Sequence, residues 1–257
     1  MGIKNAWVAV VVAAVVLATY SAWFVGFATD YGLFRDDLWY LVHNRTIESV
    51  LAPGWTASEL RPVAGLLFFI ANQLGDFNRW GHTINAIVNG LAVLFSLAVL
   101  LDVASRYNPR TLPRRDWVFI FCLLLSQLIH LSTTFNLLWV SGVQTLFGGM
   151  VYALMLLATL RYQRSQDWRW LGVVAASSLL GLFSYEAVLG AILVVPVLFW
   201  YFERRHPVQR AKYLLGCVAL PLSVYLAARA LFAPQTFPWQ SSAKECWFTL
   251  PSISSLW

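Results

Sequence analysis

Long apolar runs separated by short polar breaks recur from one end of the chain to the other. A helix that crosses a bilayer needs about 20 predominantly apolar residues. Runs that meet this lie at about Ala6–Ala28, Gly81–Ser105, Trp117–Thr133, Leu137–Leu160 and Tyr213–Phe232, with shorter ones at Trp170–Ser184 and Ala187–Phe202. The pattern predicts seven spans. The two short runs could be read as one passage, but a break at "FSYEA", residues 183–187, is the better reading. An unbroken helix would bury Glu186 in hydrocarbon at a cost of several kcal/mol.

The segment between the first two spans, residues 29–80, is too long for a simple connector. It carries two further helical patterns. Around "YGLFRDDLWYLVHN", residues 31–44, Phe34, Leu38, Leu41 and Val42 form an apolar stripe. Asp36, Tyr40 and His43 line up at i, i+4 and i+7 on another face. Residues 63–74 read "VAGLLFFIANQL", about 18 Å of helix, too short to span and apolar enough to lie in the interface. The expected fold is therefore an all-α polytopic membrane protein. It has about seven transmembrane helices, two interfacial helices in the loop at 29–80, and an external tail at 233–257, all in one module over 1–257.

Composition strengthens this reading. Of 257 residues, 59% are hydrophobic, 16% aromatic and 12% charged, and a soluble domain carries roughly twice that charge. The net charge of +6 does not point to nucleic acid, because the basic residues gather in short loops. Arg106, Arg110, Arg114 and Arg115 share one loop, Arg161, Arg164 and Arg169 a second, and Arg204, Arg205, Arg210 and Lys212 a third. With seven spans and a cytoplasmic N-terminus, all three loops fall on the cytoplasmic side, as the positive-inside rule asks. The loop at 29–80, the Glu186 break and the C-terminus then face outward. The first span reads as an uncleaved anchor. Short loops and arginine in preference to lysine suggest a bacterial inner membrane with a periplasmic C-terminus. Three cysteines show no metal or redox spacing, and no phosphate-cradling glycine loop, serine elbow or HExxH helix occurs.

The order of several motifs resembles the GT-C glycosyltransferases, in particular the branch holding the protein O-mannosyltransferases and the tetratricopeptide-bearing transmembrane mannosyltransferases. The motifs are "RDD" opening the external loop, "RPVAGLLFFIANQLGDFN", "HTINAIVNGLAVLF", "LLWVSGVQTLFGGMVYALMLLATL" and "LFSYEAVLGAILVVPVLFWY". The likeness covers most of residues 20–205 and implies the N-terminal membrane module of such an enzyme. The family's usual lysine before the glutamate is Tyr185 here, and Ser141, Gly142 and Val143 stand without the arginine its fourth span carries. The resemblance implies a membrane enzyme that takes a sugar from a polyprenyl-phosphate carrier on the external face. An acidic residue of the first external loop, here Asp36 or Asp37, acts near the acceptor, and an acidic residue at Glu186 helps line the cavity.

Such a transfer needs a base for the acceptor hydroxyl and donors or cations for the departing phosphate. Asp36 and Asp37 lie about 100° apart on a helix, so only one faces the sugar, and the other caps free backbone N–H groups. His82, Asn85 and Asn89 recur at i, i+3 and i+7 near the external end of the second span. They either contact sugar or phosphate or hold helices together. Arg61 and Arg229 are candidates for the lipid phosphate or for headgroup contact, and Tyr40 shares the Asp36 stripe. No cofactor or metal is assigned. A divalent cation, Mg or Mn, beside the two aspartates stays open, without further acidic ligands in view. The expected partners are the polyprenyl-phosphate sugar donor, membrane lipids, and an acceptor that is glycan, lipid or protein, with no nucleic acid. The competing readings are a carrier-lipid-binding or flipping protein without transfer, and a truncated module completed by a partner subunit.

Overall fold

The computed structural model describes residues 15–16, 19–20, 22–30, 33, 35–43, 45–50, 61–107, 137–138, 140–185, 188–202 and 207–232. Among the described residues every regular element is helical. A helical stretch at 22–29 leads into α1 (Arg35–His43) and the short α2 (Ile47–Val50). Then come α3 (Pro62–Gln73) and α4 (Phe77–Tyr107), and, after a 3₁₀ turn at Val140–Gly142, α5 (Val143–Ser165). The chain continues through α6 (Trp168–Leu182) and α7 (Val188–Phe202). Last is α8 (Pro207–Leu214), joined by a π turn at Leu215–Ala219 to α9 (Leu220–Phe232).

Among the described residues three stretches are long and apolar enough to cross a membrane, namely Phe77–Val103, Val140–Ser165 and Val208–Phe232. At 25 to 27 residues each, they exceed the length a hydrocarbon core of about 30 Å demands. The helices α6 and α7, of 15 residues each, rise only about 22 Å. The third expected span, Trp117–Thr133, and the tail 233–257 lie outside the described residues, as does most of the first span.

Local sequence explains most corners. Pro62 opens α3 at the position where a missing N–H costs nothing. Between α3 and α4, Gly75 takes φ +103°, a region open to glycine. Asp76 then caps α4, accepting from the Arg79 N–H at 3.0 Å. Asp167 caps α6 in the same way through the Arg169 N–H at 3.0 Å, after Gln166 turns the chain with φ 57°. In the last helix, Pro221 brings no N–H to the carbonyls one turn back. The Cys217 carbonyl, four residues earlier, lies 3.1 Å from the Ser178 hydroxyl of α6, whose single proton it shares with the Val174 carbonyl at 2.9 Å, and the π turn sits where the proline interrupts the ladder.

Packing gives the bundle two distinct ends. At the start of α4, Gly81 lies against Val140 and the His82 ring reaches the Leu137 carbonyl. Near its other end, Asp102 meets Arg161 and Arg164 close to the end of α5. The helices α4 and α5 therefore run side by side in the same direction, so Tyr107 and Leu137 stand at opposite ends. The first end, here the loop end, is covered by α1 and α3, whose Tyr40 and Phe68 join Phe24, Phe77, Leu137 and Val140 in one core. A second core, with Val151, Met155, Val174, Ile192, Tyr213 and Tyr225, joins α5, α6 and α7 to the last helix. At the opposite, basic end, Tyr213 bonds Thr159 at 2.6 Å.

Several expected boundaries move. In the fourth run Leu137 and Leu138 are helical as expected, and a 3₁₀ turn at Val140–Gly142, whose first N–H groups turn to a side chain of α1, precedes α5. It continues to Ser165 rather than Leu160, ending where Gln166 turns left-handed. The fifth starts at Trp168 because Asp167 caps it, and the seventh begins six residues early, at Pro207 rather than Tyr213. The break at 183–187 appears as two separate helices, α6 ending at Leu182 and α7 starting at Val188.

Candidate functional site

The loop end gathers polar side chains from segments far apart in sequence. Asp37, on α1, is fully buried. Its carboxylate accepts from the backbone N–H of Ser141 at 2.6 Å and of Val140 at 3.3 Å. These are the first donors of the 3₁₀ turn leading into α5, which have no partner within their own helix. Asp37 thus caps a membrane helix from 103 residues away.

One turn along α1, Tyr40 stacks on Phe68 of α3 with ring centroids 4.0 Å apart. Its hydroxyl accepts from the Gln144 amide nitrogen at 2.7 Å. The Gln144 oxygen in turn accepts from an Arg61 guanidinium N–H at 2.8 Å. The Arg61 guanidinium carbon also lies 5.1 Å from the centre of the Tyr185 ring, within cation–π range. Tyr40, Gln144, Arg61 and Tyr185 therefore form one relay across α1, α5, the start of α3 and the turn after α6. A backbone bond reinforces it, since the Val63 N–H donates to the Phe183 carbonyl at 3.1 Å.

His82 stands on α4 beside the Asp37 cap, close enough for that carboxylate's charge to act on it. Its Nδ1 lies 3.0 Å from the Leu137 carbonyl, an arrangement that makes Nδ1 the donor. Nε2 is left as a buried acceptor with no donor in reach among the described residues. Asn85 and Asn89 are buried further along α4. The buried Ser184 hydroxyl, in the turn beside Tyr185, also lacks a partner among the described residues.

The residues expected from sequence separate into three groups. Asp37, Tyr40, Arg61 and His82 come together. Arg229 lies near the same turn without joining the relay, as it donates to Tyr225 Oη at 3.3 Å, and the Tyr225 ring packs edge-on to Phe183 at 5.5 Å. Asp36 shares α1 as the residue before Asp37, while Glu186 falls outside the described residues. No three His, Cys, Asp or Glu side chains group together among the described residues. Sequence reasoning passed over Gln144, although a lone amide in an apolar span is itself a signal. It also passed over Asp102, a carboxylate near the far end of an expected span.

The arrangement can hold an anionic group beside Arg61, and it fixes α1 rigidly over the start of α5. Among the described residues, fold and site together define an all-helical structure with three apolar helices long enough to cross a membrane and a polar relay at one end. No family model, curated protein or solved structure matches the chain.

Proposed function

We propose that the chain is a membrane glycosyltransferase of GT-C type. It moves a sugar from a polyprenyl-phosphate carrier to an acceptor on the external face of a bacterial inner membrane. The observation that carries this reading is the Arg61 relay. A cation is held between Gln144 and Tyr185 at the bundle end where the aspartate-bearing α1 is pinned down. Arg61 would receive the carrier phosphate, its guanidinium being oriented by Gln144 and the Tyr185 ring. Arg229 would border the same space. Arg161, Arg164, Arg169 and Lys212 at the opposite end support a cytoplasmic location for that end and a periplasmic one for the site.

In this reading the two aspartates divide the work. Both Asp37 oxygens already accept backbone N–H groups, so Asp37 positions α1. Asp36 takes the proton of the acceptor hydroxyl. The acceptor oxygen bonds to the anomeric carbon as the bond from that carbon to the phosphate oxygen breaks, and the carrier phosphate leaves with its charge against Arg61. His82 and Asn85 support the wall of the site from α4.

The test is transfer from a panel of radiolabelled polyprenyl-phosphate sugars in membranes holding matched amounts of wild type, Asp36→Asn, Asp37→Asn and Arg61→Gln. Wild type should consume one donor. Asp36→Asn should lower the rate by about 10²–10⁴-fold, and Arg61→Gln should weaken donor binding. Asp37→Asn should mainly lower the melting temperature. Donor binding without transfer by wild type would favour a carrier-lipid-binding protein. No binding and no transfer would sink the proposal.

A further inference from the structure

At the basic end, the Asp102 carboxylate of α4 is buried, with only 1% of its side chain exposed, and meets two arginines of α5. Arg161 lies 3.5 Å away and Arg164 4.0 Å away, yet their side chains stay 45% and 67% exposed. One carboxylate facing two guanidiniums leaves a unit of positive charge. It also leaves several N–H donors turned outward, since each guanidinium carries five. The other acid described at this end, Asp167, is engaged in capping α6 through the Arg169 N–H. No further carboxylate among the described residues there offsets the exposed Arg169 and Lys212. Trp168 opens α6 at 75% exposure, an aromatic of the kind that sits at headgroup level.

We infer that this end is a binding site for the phosphate headgroup of an anionic phospholipid, with Arg161 and Arg164 as its forked donors and Asp102 as the anchor that aims them. A planar guanidinium matches a phosphate diester through paired N–H bonds. The exposed Trp168 beside the cations fits a lipid, whose glycerol and acyl region would cover it, better than a free anion. The site is independent of the transfer reaction, because it stands at the other end of the bundle.

The experiment is native mass spectrometry of the full chain released from neutral detergent, titrated with phosphatidylglycerol, with phosphatidylcholine and with inorganic phosphate. Phosphatidylglycerol should be retained about tenfold or more tightly than phosphatidylcholine, as a basic residue near an anionic surface contributes about fivefold in affinity. The triple variant Asp102→Asn/Arg161→Gln/Arg164→Gln, which leaves no buried charge unpaired, should lose that preference. Arg79→Gln, at the loop end, should keep it. If the triple variant fails to fold, Arg169→Gln/Lys212→Gln should still weaken phosphatidylglycerol retention several-fold. Equal retention of both lipids, an unchanged preference in the variants, or displacement of phosphatidylglycerol by millimolar inorganic phosphate would overturn the inference.

Discussion

Gln144 carries more of the loop end than its single amide suggests, because it bonds Tyr40 at 2.7 Å and Arg61 at 2.8 Å at once. Replacing it with leucine removes one neutral hydrogen bond and one to a charged group, together about 2–4 kcal/mol. Gln144→Leu should therefore lower the thermal unfolding midpoint in detergent. Gln144→Glu should not, since a carboxylate accepts from both Arg61 and the Tyr40 hydroxyl. Equal losses in the two variants would show that the relay does not hold the site. At this scale the sequence was informative about which residues are polar and where they recur, so Asp37, Tyr40, Arg61 and His82 could be picked out. It was silent on their partners. Nothing local to Asp37 says that its carboxylate caps a helix beginning at Val140, so base and cap could not be told apart from "RDD" alone.

Elements were legible where their signals are local. Pro62 marks the start of α3, and Gly75 with Asp76 marks the corner into α4. The polar break near Glu186 separates α6 from α7. The 3₁₀ start of α5 and the π turn before α9 were not legible, because both depend on a hydrogen-bond partner from another helix. The π turn makes a quantitative case. Ser178, whose hydroxyl is shared between the Val174 and Cys217 carbonyls, offers the latter a donor that Pro221 cannot. Ser178→Ala should cost about 1 kcal/mol or more on its own. In a Pro221→Ala background, where residue 221 regains an N–H, the cost should shrink, giving a coupling of at least about 0.5 kcal/mol in a double-mutant cycle. Strict additivity in thermal or denaturant unfolding would show that the two residues act separately.

For the whole molecule, the parallel course of α4 and α5 puts the α3–α4 corner and the α5–α6 corner at opposite ends of the bundle. In a chain freed of its native cysteines, Gln73→Cys and Ser165→Cys should therefore react with a membrane-impermeant maleimide from opposite sides of an intact membrane. Labelling of both from one side would contradict a bilayer lying between the two ends. Seven spans were expected from apolar run lengths, and among the described residues three helices have the length and apolarity to cross. The turn at Phe183, Ser184 and Tyr185 has a mechanical meaning as well. Its backbone holds the start of α3, its tyrosine lies under Arg61, and its phenylalanine bears on Tyr225 of α9. A ligand that draws Arg61 away from Tyr185 thus pulls on a junction shared with the last helix, and amide exchange along α9 becomes a remote gauge of whether the loop end is occupied.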